Sequence, residues 1–446
     1  LGADEVLAST LRCTLATCAV QIERIGADGA VRTQRGTQLP TERPLETWDI
    51  LRNQWPLLYP GRSEFAAIGE LIDEHTYKRY LALHTQVYGE TGASLEELFR
   101  EAETLIASAD RFLPLYELYT FSALNLYDHS GDPAYLHRAR QVLQQATSWA
   151  GNSLLLRQAK YQLARESNDF AGAETEIEII AGLGGDQVLL ENLRGGLYSS
   201  RGEFERAATH FERALAMRPT RDTYYSAARS HYLGNRPDRA AQLLQRSLAL
   251  YPNDSSALII LGMVSLHKGK LEQAVTYFEQ AGQHVFDLNA QSNLGLAYLL
   301  QGDYARARDL FYSVYEAGSQ VPVVLLNLAD AENLLDRRET AAGYYEQIVE
   351  AQKQEFAIRD SLAVSQALAH LGRYDQAIAA LKSDTASRRG NPESNFSAAL
   401  VYTLAGQYIA AMVEVEQALQ LGFGAIWFTL PWFDVLCESP NFELLM

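Results

Sequence analysis

Small residues recur along this chain at a nearly constant interval. Alanine stands at positions 139, 173, 207, 240, 274, 307, 341, 377 and 411, in steps of 33 to 36 residues. Twelve positions before the anchor, several periods carry a second small residue: Gly195, Ala228, Gly262, Gly295, Ala329 and Ala399. Five before it, glycine recurs as Gly202, Gly269, Gly302, Gly372 and Gly406. Four after it stands a large apolar residue: Phe211, Leu244, Phe278, Phe311, Tyr345 or Leu381. A period near 34 predicts one helix–turn–helix repeat per step.

Each position has a physical cause. Two short helices approach closely only where small side chains face each other. The glycine supplies the backbone conformation that ends the first helix. Phe204, Tyr304, Tyr374 and Tyr408 follow it and are expected beside the small residues. Pro219 and Pro252 stop second helices, because proline has no N–H to continue them. The large residue after the anchor is expected to fill the gap to the next repeat. One repeat cannot bury its own apolar face, so stacking must supply the core.

These residues resemble the tetratricopeptide repeat over about 120–420, two thirds of the chain. Agreement is best in 188–219, 255–282 and 288–318. It is weaker in 322–349, where Asp336 and Arg338 replace the usual glycine and aromatic, and loosest around 120–150, where SGDPAY adds turn residues. The resemblance implies a mostly α fold: a superhelical solenoid of about nine helix–turn–helix repeats over 119–420.

The N-terminal 40 residues follow a different period. EVLASTLRC (5–13), AVQIERIG (19–26) and AVRTQRGTQL (30–39) predict three strands, the last two joined by an ADG turn at 27–29. PLETWDILRNQW (44–55) predicts a helix, so 1–60 reads as a small α/β segment. It resembles the second half of the amino-terminal domain of the Tol translocation protein B, a kind of domain that often precedes tetratricopeptide repeats in bacterial signalling proteins. The resemblance implies that the first half of that domain would lie before Leu1, so a truncated or rearranged sheet is one expectation and a chain cut from something longer is another. Residues 63–89 and 94–112 carry apolar residues at helical spacing and predict a connector over 61–118. At the far end, FGAIWFTLPWFDVLCESPNFELLM (423–446) is rich in Phe and Trp. It reads as a cap over 421–446 sealing the last repeat, with an exposed aromatic docking patch as the alternative. Bacterial kinases and transcription regulators with these repeats have a related ending, which favours the cap.

Charge narrows the partners. The chain carries 55 acidic against 38 basic residues, a formal net charge of −17, and no basic stripe. Nucleic acid and anionic membrane surfaces are poor matches. The longest strongly apolar run, VPVVLLNLA (321–329), is too short to span a bilayer, so no direct membrane insertion is expected from this chain.

Three cysteines are present: Cys13, Cys18 and Cys437. The first two close a CTLATC turn between strands that could bring them to disulfide distance. A bridge would place this region outside the cytoplasm; two reduced thiols in a cytosolic protein is the other reading. Cys437 reads as a buried apolar residue.

No catalytic constellation emerges. The nine histidines form no H-E-x-x-H, and none neighbours a cysteine cluster. His231 and His267 read as groove-lining or core residues. GMVSLHKGK (262–270) only superficially resembles a phosphate loop: it falls in a predicted helix with no strand before it. Glu96/Glu97 and Glu176/Glu178 read as solvated helix faces. No cofactor and no metal are expected.

Binding is the better expectation. In the resembled repeat, the first helix lines a concave groove, and its fifth and ninth positions point inward. Here the groove candidates are Tyr225, Arg229, Ile259, Met263, Leu296 and Asp330. Family members that grip a peptide's carboxylate use Lys and Asn at these places, and no Lys occurs at either here. The groove reads as mixed apolar with Arg229 and Asp330 as polar anchors, unless its apolar members simply pack on neighbouring helices. The expectation is a non-catalytic protein- or peptide-binding sensor module: the periplasmic part of a bacterial membrane protein with a Ser/Thr kinase or winged-helix output. A homodimer is one possible assembly. The alternative is an assembly scaffold, periplasmic or cytosolic, without signalling output.

Overall fold

The computed structural model describes the chain except residues 1–4, 15–16, 27, 29, 41, 59–71, 89–93, 284–286, 318–320, 352–359 and 384–390. Two compact units divide it. The first comprises 1–201 with 216–219; the second comprises 202–215 with 220–446.

In the first unit, strands β1 (Glu5–Cys13), β2 (Thr17–Gly26) and β3 (Val31–Pro40) form an antiparallel sheet in that order. Most of the ADG turn lies outside the described residues. Helix α1 (Pro44–Leu58) packs on β3, and Thr47 donates to the Pro40 carbonyl at 2.7 Å. Val20, Leu39 and Leu45 are buried. The helical connector follows as α2 (Glu74–Tyr88) and α3 (Leu95–Ser108); residues 63–71 of the predicted helix lie outside the described residues.

The repeats of this unit begin with α4 (Pro114–Ser130), α5 (Pro133–Ala150), α6 (Leu154–Glu166), α7 (Phe170–Gly182) and α8 (Gln187–Ser200). Phe99 stacks on Tyr119 at 4.7 Å between connector and first repeat. Glu176 corrects the sequence reading. Instead of facing solvent it is 8 % exposed, held by Arg157 at 3.1 Å and Lys160 at 3.4 Å. Two cationic partners offset the cost of burying a carboxylate.

The second unit holds α9 (Phe204–Met217), of which Ala216 and Met217 belong to the first, then six further helix pairs among the described residues. These are α10 (Arg221–Leu233) with α11 (Pro237–Leu250), α12 (Ser255–His267) with α13 (Leu271–Gly282), and α14 (Leu288–Leu300) with α15 (Tyr304–Glu316). After them come α16 (Pro322–Leu334) with α17 (Arg338–Ala351) and α18 (Ser361–His370) with α19 (Tyr374–Ser383). A sixth pair, α20 (Pro392–Leu404) with α21 (Tyr408–Gln420), completes the array. Aspartates 254, 287 and 360 cap their first helices by accepting backbone N–H groups of the opening turn.

The predicted small-residue code is built as a packing device. All nine anchor alanines are at most 1 % exposed. A β-carbon on Gly262 would lie 2.3 Å from the Phe278 ring, and one on Gly295 would lie 2.6 Å from Phe311. The large residue after the anchor thus presses on the glycine of its own repeat, where the sequence reading placed it against the next one. The turn position is more permissive than the glycine count suggested. Asn168, Asn235 and Asp336 adopt φ of 59°, 56° and 59° at the site where Gly202, Gly269, Gly302, Gly372 and Gly406 do the same. Short polar side chains tolerate this left-handed conformation, so the repeat at Asp336 keeps its turn without glycine.

Candidate functional site

The sequence candidates all lie on first helices of the second unit. Tyr225 and Arg229 sit on α10, the tyrosine half-buried and the arginine exposed. Ile259 and Met263 on α12, with Leu296 on α14, are partly buried in one apolar cluster. What buries them was not foreseen. That cluster includes Phe428, Leu430, Phe433, Leu436 and Phe442, all from the C-terminal aromatic segment.

After α21 the chain turns at Gly422, φ 85°. It continues as two 3-10 turns, Ala425–Thr429 and Pro431–Glu438, and a short helix, Pro440–Leu445. The first turn packs on α12 and α14, far from the last repeat in sequence. Gly424 lies against the His267 carbonyl, where a β-carbon would come within 2.6 Å, and Ile426 lies beside Gly269. Further along, Phe396 of α20 gathers Phe423, Phe428 and Phe433 at ring distances of 5.3, 5.6 and 5.8 Å. Trp432 meets His370 of α18 edge-on at 5.1 Å. The segment therefore runs along the first helices from α12 to α20, and is more than a seal on the last repeat. Phe428, Phe433 and Phe442 are at most 2 % exposed, so they do not form an exposed docking patch. Cys437, expected to be buried, is exposed.

The second unit also closes on itself. The Asn235 side chain, at the α10–α11 turn, donates to the Leu421 carbonyl at 3.0 Å. Gly422 fits against the same asparagine, because a β-carbon there would lie 2.2 Å from it. The sequence held a weak signal for this contact: Asn235 and Gly422 both stand at turn positions, but nothing in the spacing joins them.

Asp330 is not a groove anchor. It is 7 % exposed and accepts a hydrogen bond from the Tyr345 hydroxyl at 2.6 Å. The His370 Nε2 lies 3.5 Å from the same Asp330 oxygen, and its ring stacks on Tyr345 at 4.8 Å. Burial raises the Asp330 carboxyl to about 7 and lowers His370 to about 3, so the low-polarity packing keeps both groups neutral near pH 6. Burial also raises Tyr345. His231 is a core residue, 6 % exposed, with Nε2 3.2 Å from Glu212. Among the described residues, no group of three or more His, Cys, Asp or Glu could hold a metal, and no helix is long and apolar enough to cross a membrane. Cys13 and Cys18, direct partners across β1 and β2, are joined by a disulfide.

A tetratricopeptide-repeat family model matches residues 192–255, 225–284 and 282–322, so these residues carry the repeat recognised in the sequence. Among solved structures, the chain is similar to a monomeric mutant of IFIT1 bound to Gppp-AAAA. Identity is 13 %, the TM-score is 0.51, and the match covers 84 % of this chain and 86 % of that one. It is also similar to the Cut9–Hcn1 hetero-tetramer of the APC/C (15 % identity, TM-score 0.44, 90 % and 81 % covered). A third similarity is to Pseudomonas aeruginosa PilF (21 % identity, TM-score 0.37, 47 % and 95 % covered). No curated protein matches the chain. At these identities the likeness concerns the fold. Repeats of this kind mediate protein and peptide binding and assembly.

Proposed function

We propose that this chain is a non-catalytic peptide-binding module, the extracytoplasmic sensor part of a bacterial membrane signalling protein. One observation carries the binding reading: the first-helix face of the second unit already holds a segment of 3-10 turns and a short helix, gripped through aromatic side chains. A wall that accommodates Phe423, Phe428 and Phe433 around Phe396 has the chemistry to hold a peptide. Beside it, Tyr225 and the exposed Arg229 offer an aromatic face and a cation on α10.

The Cys13–Cys18 bridge supports an oxidising compartment, hence the periplasmic side of the membrane. The segment 1–60, with its resemblance to a domain of bacterial signalling proteins, supports a sensor role, with a Ser/Thr kinase or winged-helix domain as the output. The formal net charge of −17 disfavours an RNA ligand.

Selection from a random peptide display library on the immobilised chain tests the reading. Enriched peptides should share a consensus and lose affinity at least tenfold against Tyr225→Ala/Arg229→Ala, or against loss of the C-terminal seat. A library that yields no consensus contradicts it.

A further inference from the structure

The C-terminal segment is attached to the array in an unusual way. From Gly424 onward, its backbone hydrogen bonds among the described residues are local: Trp427 to Gly424, Phe433 to Leu430, Ser439 to Leu436 and Phe442 to Ser439. The last backbone bond to the array proper runs from the Phe423 N–H to the Ala418 carbonyl. Beyond that point side-chain packing and the seat of Gly424 against the His267 carbonyl hold it, without a backbone hydrogen bond to the array among the described residues, while the repeat helices keep their own backbone ladders. Withdrawing the segment would break none of the array's backbone bonds. Gly422, in the left-handed region, and Gly424 lie at the point of departure. The Asn235 bond to Leu421 fastens the base.

We propose that residues 423–446 are a resident ligand of this face. The partner it receives is a peptide of the same chemistry: a segment able to form 3-10 turns, with two phenylalanines spaced as Phe428 and Phe433, followed by a third apolar anchor. Such a partner enters by displacing the resident segment. The proposal rests on the peptide-binding reading and adds to it the identity of the guest and the contact that withholds the site. The seat itself argues for this guest. Phe428 and Phe433 lie 5.2 Å apart, are at most 1 % exposed, and converge on Phe396. Phe423, Phe428 and Phe433 meet Phe396 ring to ring, so the seat matches aromatic side chains and a charge brought into it would lose its hydration.

The test uses the full chain with a site-specific protease sequence inserted between Leu421 and Gly422. After cleavage, a fluorescent synthetic peptide of residues 423–446 is added. The expected result is exchange of the resident segment for the labelled one, with the array's helical circular dichroism retained during the exchange. The same peptide with Phe428→Ala and Phe433→Ala should compete about 100-fold more weakly or worse. Loss of the helical signal when the segment leaves would make it an integral part of the core and overturn the proposal. So would failure of the labelled peptide to exchange into the folded, cleaved chain.

If the insertion impairs folding, the uncleaved chain is titrated instead. Asn235→Gly should then bind the labelled peptide about three- to tenfold more tightly than wild type, and equal affinity overturns the proposal. Library peptides that bind at Tyr225 and Arg229 while the segment stays in place would leave the peptide-binding reading standing and remove this inference alone.

Discussion

Asn235 and Leu421 are 186 residues apart in sequence, yet the amide of one donates to the carbonyl of the other at 3.0 Å. The contact joins the first complete helix pair of the second unit to the end of the last. Asn235→Gly keeps the left-handed turn, φ 56° in the native chain, and removes only the donor. It should lower stability by about 1 kcal/mol. Urea unfolding measures the loss, and limited proteolysis should cut more readily after Gln420. An unchanged midpoint with unchanged proteolysis would remove the latch from the account.

Gly262 is fixed by sterics. An alanine there places its β-carbon 2.3 Å from the Phe278 ring, so Gly262→Ala should cost about 1–3 kcal/mol. Gly302→Ala meets open space but keeps φ near 81°, and should cost about 1 kcal/mol through the backbone alone. The double variant Gly262→Ala/Phe278→Leu should recover part of the first loss and leaves the second mechanism untouched. Urea midpoints of the three variants separate ring contact from backbone strain.

The period near 34 made the helix–turn–helix array legible, since Ala, Gly and Phe stand where sterics permit nothing larger or require something large. Strand positions were legible from alternation, and the Cys13–Cys18 bridge from its short turn. The occupant of the first-helix face was not. Its aromatic content marked an end needing burial, but periodicity carries no signal for which surface takes it. Asp330 misled for a related reason. Helical position put it on the inner wall, while the Tyr345 hydroxyl and the His370 ring, 15 and 40 residues on, enclose it. Glu176 likewise carried no local sign of the Arg157 and Lys160 partners that permit its burial.

Asp330 and His370 should leave opposing marks on stability. Asp330 is raised from 3.8 to about 7, so its contribution is present at low pH and lost as pH rises through that interval. His370 is lowered from 6.5 to about 3, so its contribution is present above 6.5 and lost as pH falls towards 3. From about pH 4 to 6.5 the two slopes oppose each other, and the pair contributes little net pH dependence. Asp330→Asn leaves His370 alone, and stability should then rise with pH across this window relative to wild type. Urea midpoints at half-unit pH steps report the difference. Parallel curves for variant and wild type contradict the arrangement.

The Cys13–Cys18 bridge closes a short loop at the edge of a three-stranded sheet. Cys13→Ser/Cys18→Ser should cost the sheet about 2 kcal/mol in the chain-entropy model. Proteolysis should then attack β1 and β2 first, leaving the repeats intact. In the wild-type chain, alkylation without reduction should label Cys437 and neither of the other two.

The seating of the C-terminal segment on α12 is open to direct trapping. A β-carbon on Gly269 would stand 3.9 Å from that of Ile426, within the range a disulfide spans. In a Cys437→Ser background, Gly269→Cys/Ile426→Cys should oxidise in air and lose two hydrogens by intact mass, with a tryptic peptide linking the two positions. Both thiols remaining free in a folded, oxidised preparation would contradict the account at its centre.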